Sequence, residues 1–189
     1  DGFILALGQW GDLVCVDAAN GKELWRESLP NDLGGKMMSG WGYSESPLVE
    51  GNRVFCTPGG PKGALAALDK KTGKVLWRST EFTDRAAYCS IVTATIGGVR
   101  QCIQLADSSV SGVANDDGRV LWRALRRGAI AVIPTPIVKD DLVFLTSGYT
   151  IGCHLFKVSK SGDKFAADLV YSNKEIANHH GGMVGVGDH

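Results

Sequence analysis

Apolar and polar positions alternate with a period of two along much of the chain. Leu65 and Ala67 alternate with their neighbours before the turn at residues 69–73, and Val75 and Trp77 do so after it. This period is typical of β-strands, whereas an amphipathic helix repeats every 3.6 residues. The pattern therefore predicts short antiparallel strands joined by tight turns, and no segment has convincing helical periodicity.

A motif with the order small residue, Asp, turn, Gly, basic residue and Trp recurs along the chain. Copies run over residues 15–25, 67–77 and 112–122, and a degenerate fourth copy ends at Tyr171 in place of the Trp. The aromatic residues are about 50 positions apart, and such periods are typical of propeller blades or helical arrays. The strand pattern favours the blades. The structural motif positions are Asp17, Gly21, Trp25, Asp69, Thr72, Gly73, Trp77, Gly118, Trp122 and Tyr171.

The turn inside the motif explains its Asp and Gly. A type I turn followed by a left-handed residue needs Gly at its last position, and Gly162 is assigned to this position in the fourth copy. The Asp side chain at the start of the turn can accept hydrogen bonds from the turn amides. An indole on the outermost strand can bury about 150–250 Å² against the neighbouring blade. We therefore expect the motif tryptophans to pack between blades rather than bind a ligand.

Each repeat contains a second hairpin upstream of the motif, so a complete unit has four antiparallel strands. Such units predict an all-β fold, a β-propeller of four-stranded antiparallel blades. The chain is then a single partial propeller domain, residues 1–189, because Asp1-Gly2 aligns with the turn Gly51-Asn52 and Gly187-Asp188 with the next such turn. The blade periods are approximately 1–30, 44–80, 88–125 and 133–173, and a further blade starts at 181–189.

Two architectures fit these blade periods. We favour an open arc of a propeller with about six to eight blades, because a four-bladed ring is at the lower limit of known propellers. The alternative is a closed four-bladed ring, in which the terminal strand joins the first three strands.

The composition excludes several classes of protein. Hydrophobic residues make up 44% of the chain and charged residues 21%, which excludes global disorder. The 20 Lys and Arg residues balance 20 Asp and Glu residues, so the chain lacks the basic charge of a nucleic-acid binder. No apolar run approaches the ~20 residues that span a bilayer, so no transmembrane segment is predicted.

Five cysteines are an odd number, so at least one thiol is unpaired within the chain. The shortest turn at Gly97-Gly98 places Cys102 opposite Thr93, and Cys89 then lies about 13 Å further along. A disulfide needs Cα atoms within about 7 Å, so a bridge between Cys89 and Cys102 is disfavoured. We expect the cysteines to behave as small buried hydrophobic residues.

The run Ala67–Trp77 resembles the repeat of pyrroloquinoline-quinone-type propellers. This family includes quinoprotein alcohol dehydrogenases and the outer-membrane barrel-assembly lipoprotein. The resemblance extends over all four repeat periods and is strongest at residues 11–26 and 64–79. The stretch Asn178–Gly182 also looks like part of secreted bacterial propellers of this type. The resemblance implies a periplasmic or secreted location in a bacterium.

In the dehydrogenase members that the chain resembles, the quinone lies between a tryptophan and a disulfide of adjacent cysteines, and Glu, Asn and Asp side chains hold a calcium ion. No two cysteines are adjacent here, and turn formation explains part of the densest acidic group without a metal. We therefore predict no catalytic, cofactor-binding or metal-binding residue within the chain. The alternative is a site for pyrroloquinoline quinone and calcium that lies mostly outside it. The acidic group comprises Asp107, Asn115, Asp116 and Asp117.

His179 and His180 are candidates for ligand binding near the propeller axis, at the start of an innermost strand; the other interpretation is a polar beginning of that strand. Adjacent side chains of an extended strand point to opposite faces, so the two rings are not expected to share a metal. The loop Asn31–Gly42 is longer than a hairpin needs. Trp41 and Tyr43, in and beside it, either form a contact surface or cap the blade.

The packing signatures and the incomplete catalytic set together favour a non-catalytic quinoprotein-like propeller segment, which acts as a binding or assembly scaffold in an exported bacterial protein. The alternative is a fragment of a pyrroloquinoline-quinone-dependent alcohol or sugar dehydrogenase, because a fold alone does not determine function. The expected partners are the remaining blades of the same propeller and a protein or small-molecule ligand on the propeller face. No nucleic-acid partner is expected.

Overall fold

The computed structural model describes residues 2–187, which form four antiparallel β-sheets and no helix. These residues therefore include no helix that is long and apolar enough to cross a membrane. Strands that are adjacent in the chain are neighbours in each sheet. The predicted all-β fold of antiparallel blades is confirmed.

Blade 1 has three strands and blades 2 to 4 have four strands each. Blade 1 contains β1 (Phe3–Leu7), β2 (Asp12–Asp17) and β3 (Glu23–Ser28). Blade 2 contains β4 (Leu48–Glu50), β5 (Arg53–Cys56), β6 (Ala66–Asp69) and β7 (Val75–Arg78). Blade 3 contains β8 (Val92–Ile96), β9 (Val99–Leu105), β10 (Ser109–Ala114) and β11 (Val120–Leu125). Blade 4 contains β12 (Ile137–Lys139), β13 (Leu142–Ser147), β14 (Gly152–Ser161) and β15 (Lys164–Asn173).

The segment after blade 4 does not complete blade 1. Residues 181–187, where a further blade was predicted to start, form no strand and do not pair with β1. They contact blade 4, where Lys139 Nζ of β12 donates a hydrogen bond to the Gly187 carbonyl at 2.7 Å. Within residues 2–187 no strand closes the ring, as expected for the open arc. The turn alignments that involve Asp1 and Asp188 lie outside the described residues.

The apolar core consists of layers between successive blades. One buried cluster joins blades 1 and 2, a second joins blades 2 and 3, and a third joins blades 3 and 4. Alternate residues of one strand enter opposite layers: Val54 and Cys56 of β5 pack toward blade 1, whereas Phe55 packs toward blade 3. This alternation follows from the period of two along a strand, and it covers both faces of an inner blade.

Four of the cysteines contribute to these layers, namely Cys15, Cys56, Cys89 and Cys102. All five are buried and carry free thiols, so they pack as small hydrophobic residues, as predicted. The predicted register of blade 3 is also confirmed, because Thr93 pairs with Cys102. Cys89 lies before β8, and its thiol donates to the Leu105 carbonyl at 2.8 Å.

The motif turns of blades 1 to 3 have the expected geometry. Gly21, Gly73 and Gly118 have φ of 73°, 73° and 77°. The Asp69 carboxylate accepts hydrogen bonds from the Lys71 amide at 3.0 Å and from the Thr72 amide and hydroxyl, each at 2.9 Å. The Thr72 hydroxyl is the main cause that lowers the pKa of Asp69.

The prediction for the fourth turn is wrong. Ser161 pairs with Lys164, so the hairpin closes through two residues, and Gly162 is the first of them rather than the last residue of a longer turn. Its φ of 59° still suits glycine. The reason is that β14 and β15, each ten residues long, stay paired up to the turn itself.

A β-bulge interrupts the last strand of every blade one residue before the Trp or Tyr. In blade 2, Ala67 pairs with Trp77 and Leu68 pairs with Val75, so Leu76 has no partner. The predicted alternation of Val75 and Trp77 is therefore wrong, because Val75 and Leu76 are both exposed and Trp77 is buried. A bulge re-aims the side chain that follows it. The unpaired residues in blades 1, 3 and 4 are Leu24, Leu121 and Val170.

The first two motif tryptophans contact the next blade. Trp77 Nε1 donates to the Asn115 carbonyl in blade 3 at 2.9 Å. A Cβ atom on Gly118 would lie 2.5 Å from the Trp77 ring, so the indole lies directly on this turn. The same arrangement joins blade 1 to blade 2 through Trp25, the Lys70 carbonyl at 2.8 Å and Gly73.

The third and fourth copies differ. Trp122 is buried, but its Nε1 donates within blade 3 to Gln101 Oε1 at 2.6 Å. Blade 4 lacks the longer turn that begins with Asp in blades 1 and 2, so no carbonyl of such a turn is available to Trp122. Tyr171 has the same register as the tryptophans, paired with Leu155 beside the bulge, yet 46% of its surface is exposed. Within residues 2–187 no further blade lies beyond it.

Candidate functional site

The loops that precede the first strands of blades 2, 3 and 4 are joined by hydrogen bonds. The Ser46 amide donates to Ser90 Oγ at 2.9 Å, and the Ser90 amide donates to Thr135 Oγ1 at 3.2 Å. The Tyr88 amide donates to the Val132 carbonyl at 3.1 Å. Equivalent polar residues of the repeat thus hold three interblade loops beside one another.

A cavity of about 550 Å³ opens where these loops meet the β13–β14 turn. We call it the aromatic cavity. Its lining combines large apolar surfaces with a few polar groups, which is the usual character of a ligand-binding site. The lining residues are Trp41, Ser44, Tyr88, Ile130, Ala131, Ile133, Tyr149 and His180.

Trp41 and Tyr43 have separate roles. Tyr43 is buried and its hydroxyl donates to the Pro58 carbonyl at 2.9 Å, so it packs between blades 1 and 2. Trp41 lines the cavity with 73% of its surface exposed. Its backbone is nevertheless fixed, because Gln9 Nε2 donates to its carbonyl at 3.1 Å and its amide donates to Ser39 Oγ at 3.1 Å. The ring is therefore an exposed aromatic surface on an anchored backbone.

The β13–β14 turn holds Tyr149 at the cavity in an unusual conformation. Tyr149 and Thr150 have φ of 52° and 65°. Such angles are rare for residues other than glycine, above all for β-branched Thr, and strain of this kind is often found at functional sites. The Tyr149 amide donates to His179 Nε2 at 3.2 Å, and the two rings meet edge to face at 4.6 Å. His179 therefore supports the turn, while His180 lines the cavity.

Glu45 is a buried carboxyl group that the sequence analysis missed. Its side chain accepts a hydrogen bond from the Thr57 amide at 2.5 Å through Oε1, whereas Oε2 has no hydrogen-bond partner within the described residues. Burial raises the pKa of Glu45 to about 7, although its bonds to Thr57 act in the opposite direction. A signal was present in the repeat, because Glu45 precedes Ser46 as buried Cys89 precedes Ser90.

We expect Glu45 to make stability depend on pH. Its pKa is about 7 in the folded chain, against an ordinary value of 4.5. The folded state therefore holds the proton more tightly, so the stabilisation is complete below the ordinary value and is lost as the pH rises through about 7. The loss should be on the order of 3 kcal/mol. Denaturant unfolding at about pH 5 and about pH 8 measures it.

Glu45→Gln is the matched variant for this measurement. The amide cannot ionise, so the variant should become more stable than the parent at the higher pH. The neighbouring side chains of Tyr43 and Cys89 do not ionise in this range, because burial raises the pKa of each to about 12. A difference between parent and variant that stays constant with pH would show that Glu45 is already ionised in the folded chain.

Comparison with known proteins identifies the family. Residues 1–189 match the family described as outer membrane protein assembly factor BamB. The chain belongs to this family. The resemblance to pyrroloquinoline-quinone-type propellers is thereby confirmed, and it extends to quinone-dependent dehydrogenases.

Two curated relatives of this BamB-family chain are dehydrogenases. The chain is 36% identical over 190 aligned residues to a polyvinylalcohol dehydrogenase of Pseudomonas sp, an alignment that covers 86% of this chain and 28% of the relative. It is 33% identical over 135 residues to the quinohemoprotein alcohol dehydrogenase ADH IIB of Pseudomonas putida, with 65% and 19% covered. The chain therefore spans less than a third of the length of these relatives.

A solved structure supports the fold. BamB from Moraxella catarrhalis superposes with a TM-score of 0.58 and 16% sequence identity, over 82% of this chain and 46% of that one. At this identity the likeness concerns the fold alone, and the site must be judged on its own residues.

The residues present do not fit a calcium–quinone site. Within residues 2–187 no three His, Cys, Asp or Glu side chains are placed to hold a metal ion. The residues of the acidic group bind different partners. Each Asp pairs with a different arginine, and the Asn115 carbonyl accepts a hydrogen bond from the Trp77 indole N–H. No two cysteines are adjacent in the chain. The ion pairs are Asp107 with Arg85, Asp116 with Arg53, and Asp117 with Arg119.

Proposed function

We propose that this chain is a binding segment of a larger propeller, and that the aromatic cavity is its binding site. The observation that carries the proposal is the exposed Trp41 ring on an anchored backbone, at the mouth of a cavity that Tyr88 and Tyr149 also line. Exposed aromatic side chains beside an apolar depression are typical of interaction sites. Hydrogen bonds between the loops keep the site formed before any ligand arrives.

The remaining blades of the propeller are the first proposed partners. The outer strand of blade 4 exposes Leu169, Val170 and Tyr171 next to one another, each about half exposed. A row of large apolar side chains on an edge strand needs a cover. We propose that a following blade packs there, with Tyr171 in the place that Trp25 and Trp77 take in the earlier blades.

The proposed location is outside the cytoplasm of a bacterium. This proposal rests on the family, whose description places its assembly-factor members at the outer membrane. This location is compatible with the scaffold role, which the packing surfaces and the cavity of the chain support.

Binding of 1-anilinonaphthalene-8-sulfonate to the full chain tests the cavity. The dye carries a flat apolar ring system, which suits a site lined by aromatic residues. We expect saturable binding to one site, and Trp41→Ala should weaken it about tenfold, which corresponds to about 1.4 kcal/mol. Fluorescence titration and calorimetry measure both constants.

Trp10→Ala is the matched control for this experiment. Trp10 is 71% exposed, nearly as much as Trp41, but it does not line the cavity. Its removal should leave dye binding unchanged. If Trp41→Ala and Trp10→Ala bind the dye equally well, the cavity is not the binding site.

A second candidate function is part of a quinone-dependent dehydrogenase. Its support is the 36% identity to polyvinylalcohol dehydrogenase. Because the residues of this chain do not fit the calcium–quinone group, the cofactor would have to be held by other blades. The test is to supply the full-length protein with pyrroloquinoline quinone and calcium and to assay dye-linked oxidation of alcohols or sugars. Turnover would favour the dehydrogenase, and absence of quinone binding would leave the scaffold.

A further inference from the structure

A second depression lies directly beside the aromatic cavity. It has a volume of about 290 Å³, and we call it the arginine groove. Ile130 lines both depressions. Ser39 of the groove is hydrogen-bonded to the hydroxyl of Tyr88, which lines the cavity. The two depressions therefore share a wall and are one side chain apart.

The groove carries positive charge that the fold does not use. Arg127 lines it, is exposed and makes no ion pair with any residue of the described range 2–187. Arg85 pairs through Nε with Asp107 at 2.8 Å, and its side chain is 55% exposed while that of Asp107 is 8% exposed. The lining of the groove thus contains two guanidinium groups and one carboxylate. The charged residues of the groove lining therefore have a surplus of one positive charge.

We propose that the cavity and the groove together bind an extended peptide segment of a protein partner. An aromatic or large aliphatic side chain enters the cavity, and an acidic side chain two residues away pairs with Arg127 and with the free part of Arg85. This inference rests on the proposed function of the cavity and names the class of its ligand. It also assigns Arg127 as the residue that determines the preference for acidic ligands.

The geometry of an extended chain supports this occupant. Side chains two residues apart in a strand lie on the same side and are separated by about 7 Å. The two depressions share Ile130 as a lining residue, so they are neighbours that one extended segment can reach with side chains on the same side. A guanidinium can accept a carboxylate in a two-bond arrangement, which adds direction as well as charge. The apolar site then provides affinity, and the groove selects among sequences.

Short synthetic peptides test the inference on the full chain. The probe is acetyl-Gly-Phe-Gly-Asp-Gly-amide, and the comparison peptides carry Lys in place of its Asp or Ala in place of its Phe. Calorimetry at low ionic strength should give at least about tenfold tighter binding of the Phe–Asp peptide than of either comparison peptide. The difference between Asp and Lys should shrink at high salt, since exposed charges are screened.

Charge reversal at Arg127 is the decisive variant. Arg127→Glu should weaken the Phe–Asp peptide about tenfold or more and should strengthen the Phe–Lys peptide. Lys164→Glu makes the same charge change at an exposed position that lines neither depression, so it should alter neither affinity. Equal melting temperatures of the three proteins would show that the fold is retained.

Each other outcome overturns the inference in a recognisable way. If 3-phenylpropionate displaces the dye as strongly as the Phe–Asp peptide does, the site binds a small molecule and the proposal of a peptide ligand is wrong. If the dye binds through Trp41 but the peptides show no charge preference, the cavity stands and the role of Arg127 fails. If neither dye nor peptide depends on Trp41, the proposed function itself fails.

Discussion

Replacement of Trp77 by alanine is expected to lower the free energy of unfolding by about 3–5 kcal/mol. The side chain is 9% exposed and packs with the ring of Phe55 at 5.8 Å. Its Nε1 also donates to the Asn115 carbonyl at 2.9 Å, and this carbonyl would lose its donor. The loss therefore combines a cavity between blades with a broken interblade hydrogen bond. Chemical denaturation of the full chain measures it.

Two variants separate these contributions. Trp77→Phe keeps an aromatic ring and removes the N–H group, so it should cost less than the alanine variant, about 1–3 kcal/mol. Trp10→Ala removes an indole that is 71% exposed and should change stability by less than about 0.5 kcal/mol. A loss below about 1 kcal/mol for Trp77→Ala would contradict the packing role.

Replacement of Gly73 by valine should cost about 2–5 kcal/mol. Two causes add. Gly73 has a φ of 73°, which a β-branched residue adopts with strain. In addition, a Cβ atom there would lie 2.8 Å from the Trp25 ring of the preceding blade, so the indole would have to move. Denaturant unfolding gives the total.

Gly21 offers a control with the same backbone. Its φ is also 73°, but no atom lies within 4 Å of a Cβ built on it. Gly21→Val should therefore lower the free energy of unfolding only through backbone strain, by about 1–2 kcal/mol. The difference between the two valine variants measures the contact between indole and turn. Equal losses would mean that Trp25 does not rest on Gly73.

The sequence predicted the local features well, because their causes are local. A turn that starts with Asp69 and ends with Gly73 contains its own hydrogen-bond acceptor and its own left-handed residue. The register of Thr93 with Cys102 follows from the shortest turn between two strands. The recurrence of an indole about every 50 residues is visible in the sequence itself, and a repeat of this length indicated stacked sheets.

The bulges could not be predicted from alternation. An extra residue such as Leu76 leaves the hydrophobic pattern of the strand looking continuous, and only pairing with β6 reveals that it has no partner. The hydrogen bond from Trp122 to Gln101 was equally hidden. The turn of blade 4 that corresponds to the partners of Trp25 and Trp77 lies in another part of the chain, and it closes through two residues.

The candidate site was only partly visible in the sequence. The loop length drew attention to Trp41, and the paired histidines drew attention to His180. Tyr88 and Tyr149 carried no local signal, because they join the cavity through loops of different blades. Glu45 was missed because its burial arises from the packing of these loops, not from its neighbours in the chain.

Hydrogen exchange of the five tryptophan indole N–H groups shows directly whether the indoles join the blades. The structure places hydrogen-bonded, buried indoles at Trp25, Trp77 and Trp122 and highly exposed indoles at Trp10 and Trp41. NMR of the full chain should therefore show three indole protons that exchange slowly and two that exchange at rates close to those of an unfolded peptide. If Trp25 or Trp77 exchanged as fast as Trp10, the blades would not be joined by their indoles, and the arrangement of stacked sheets would be wrong.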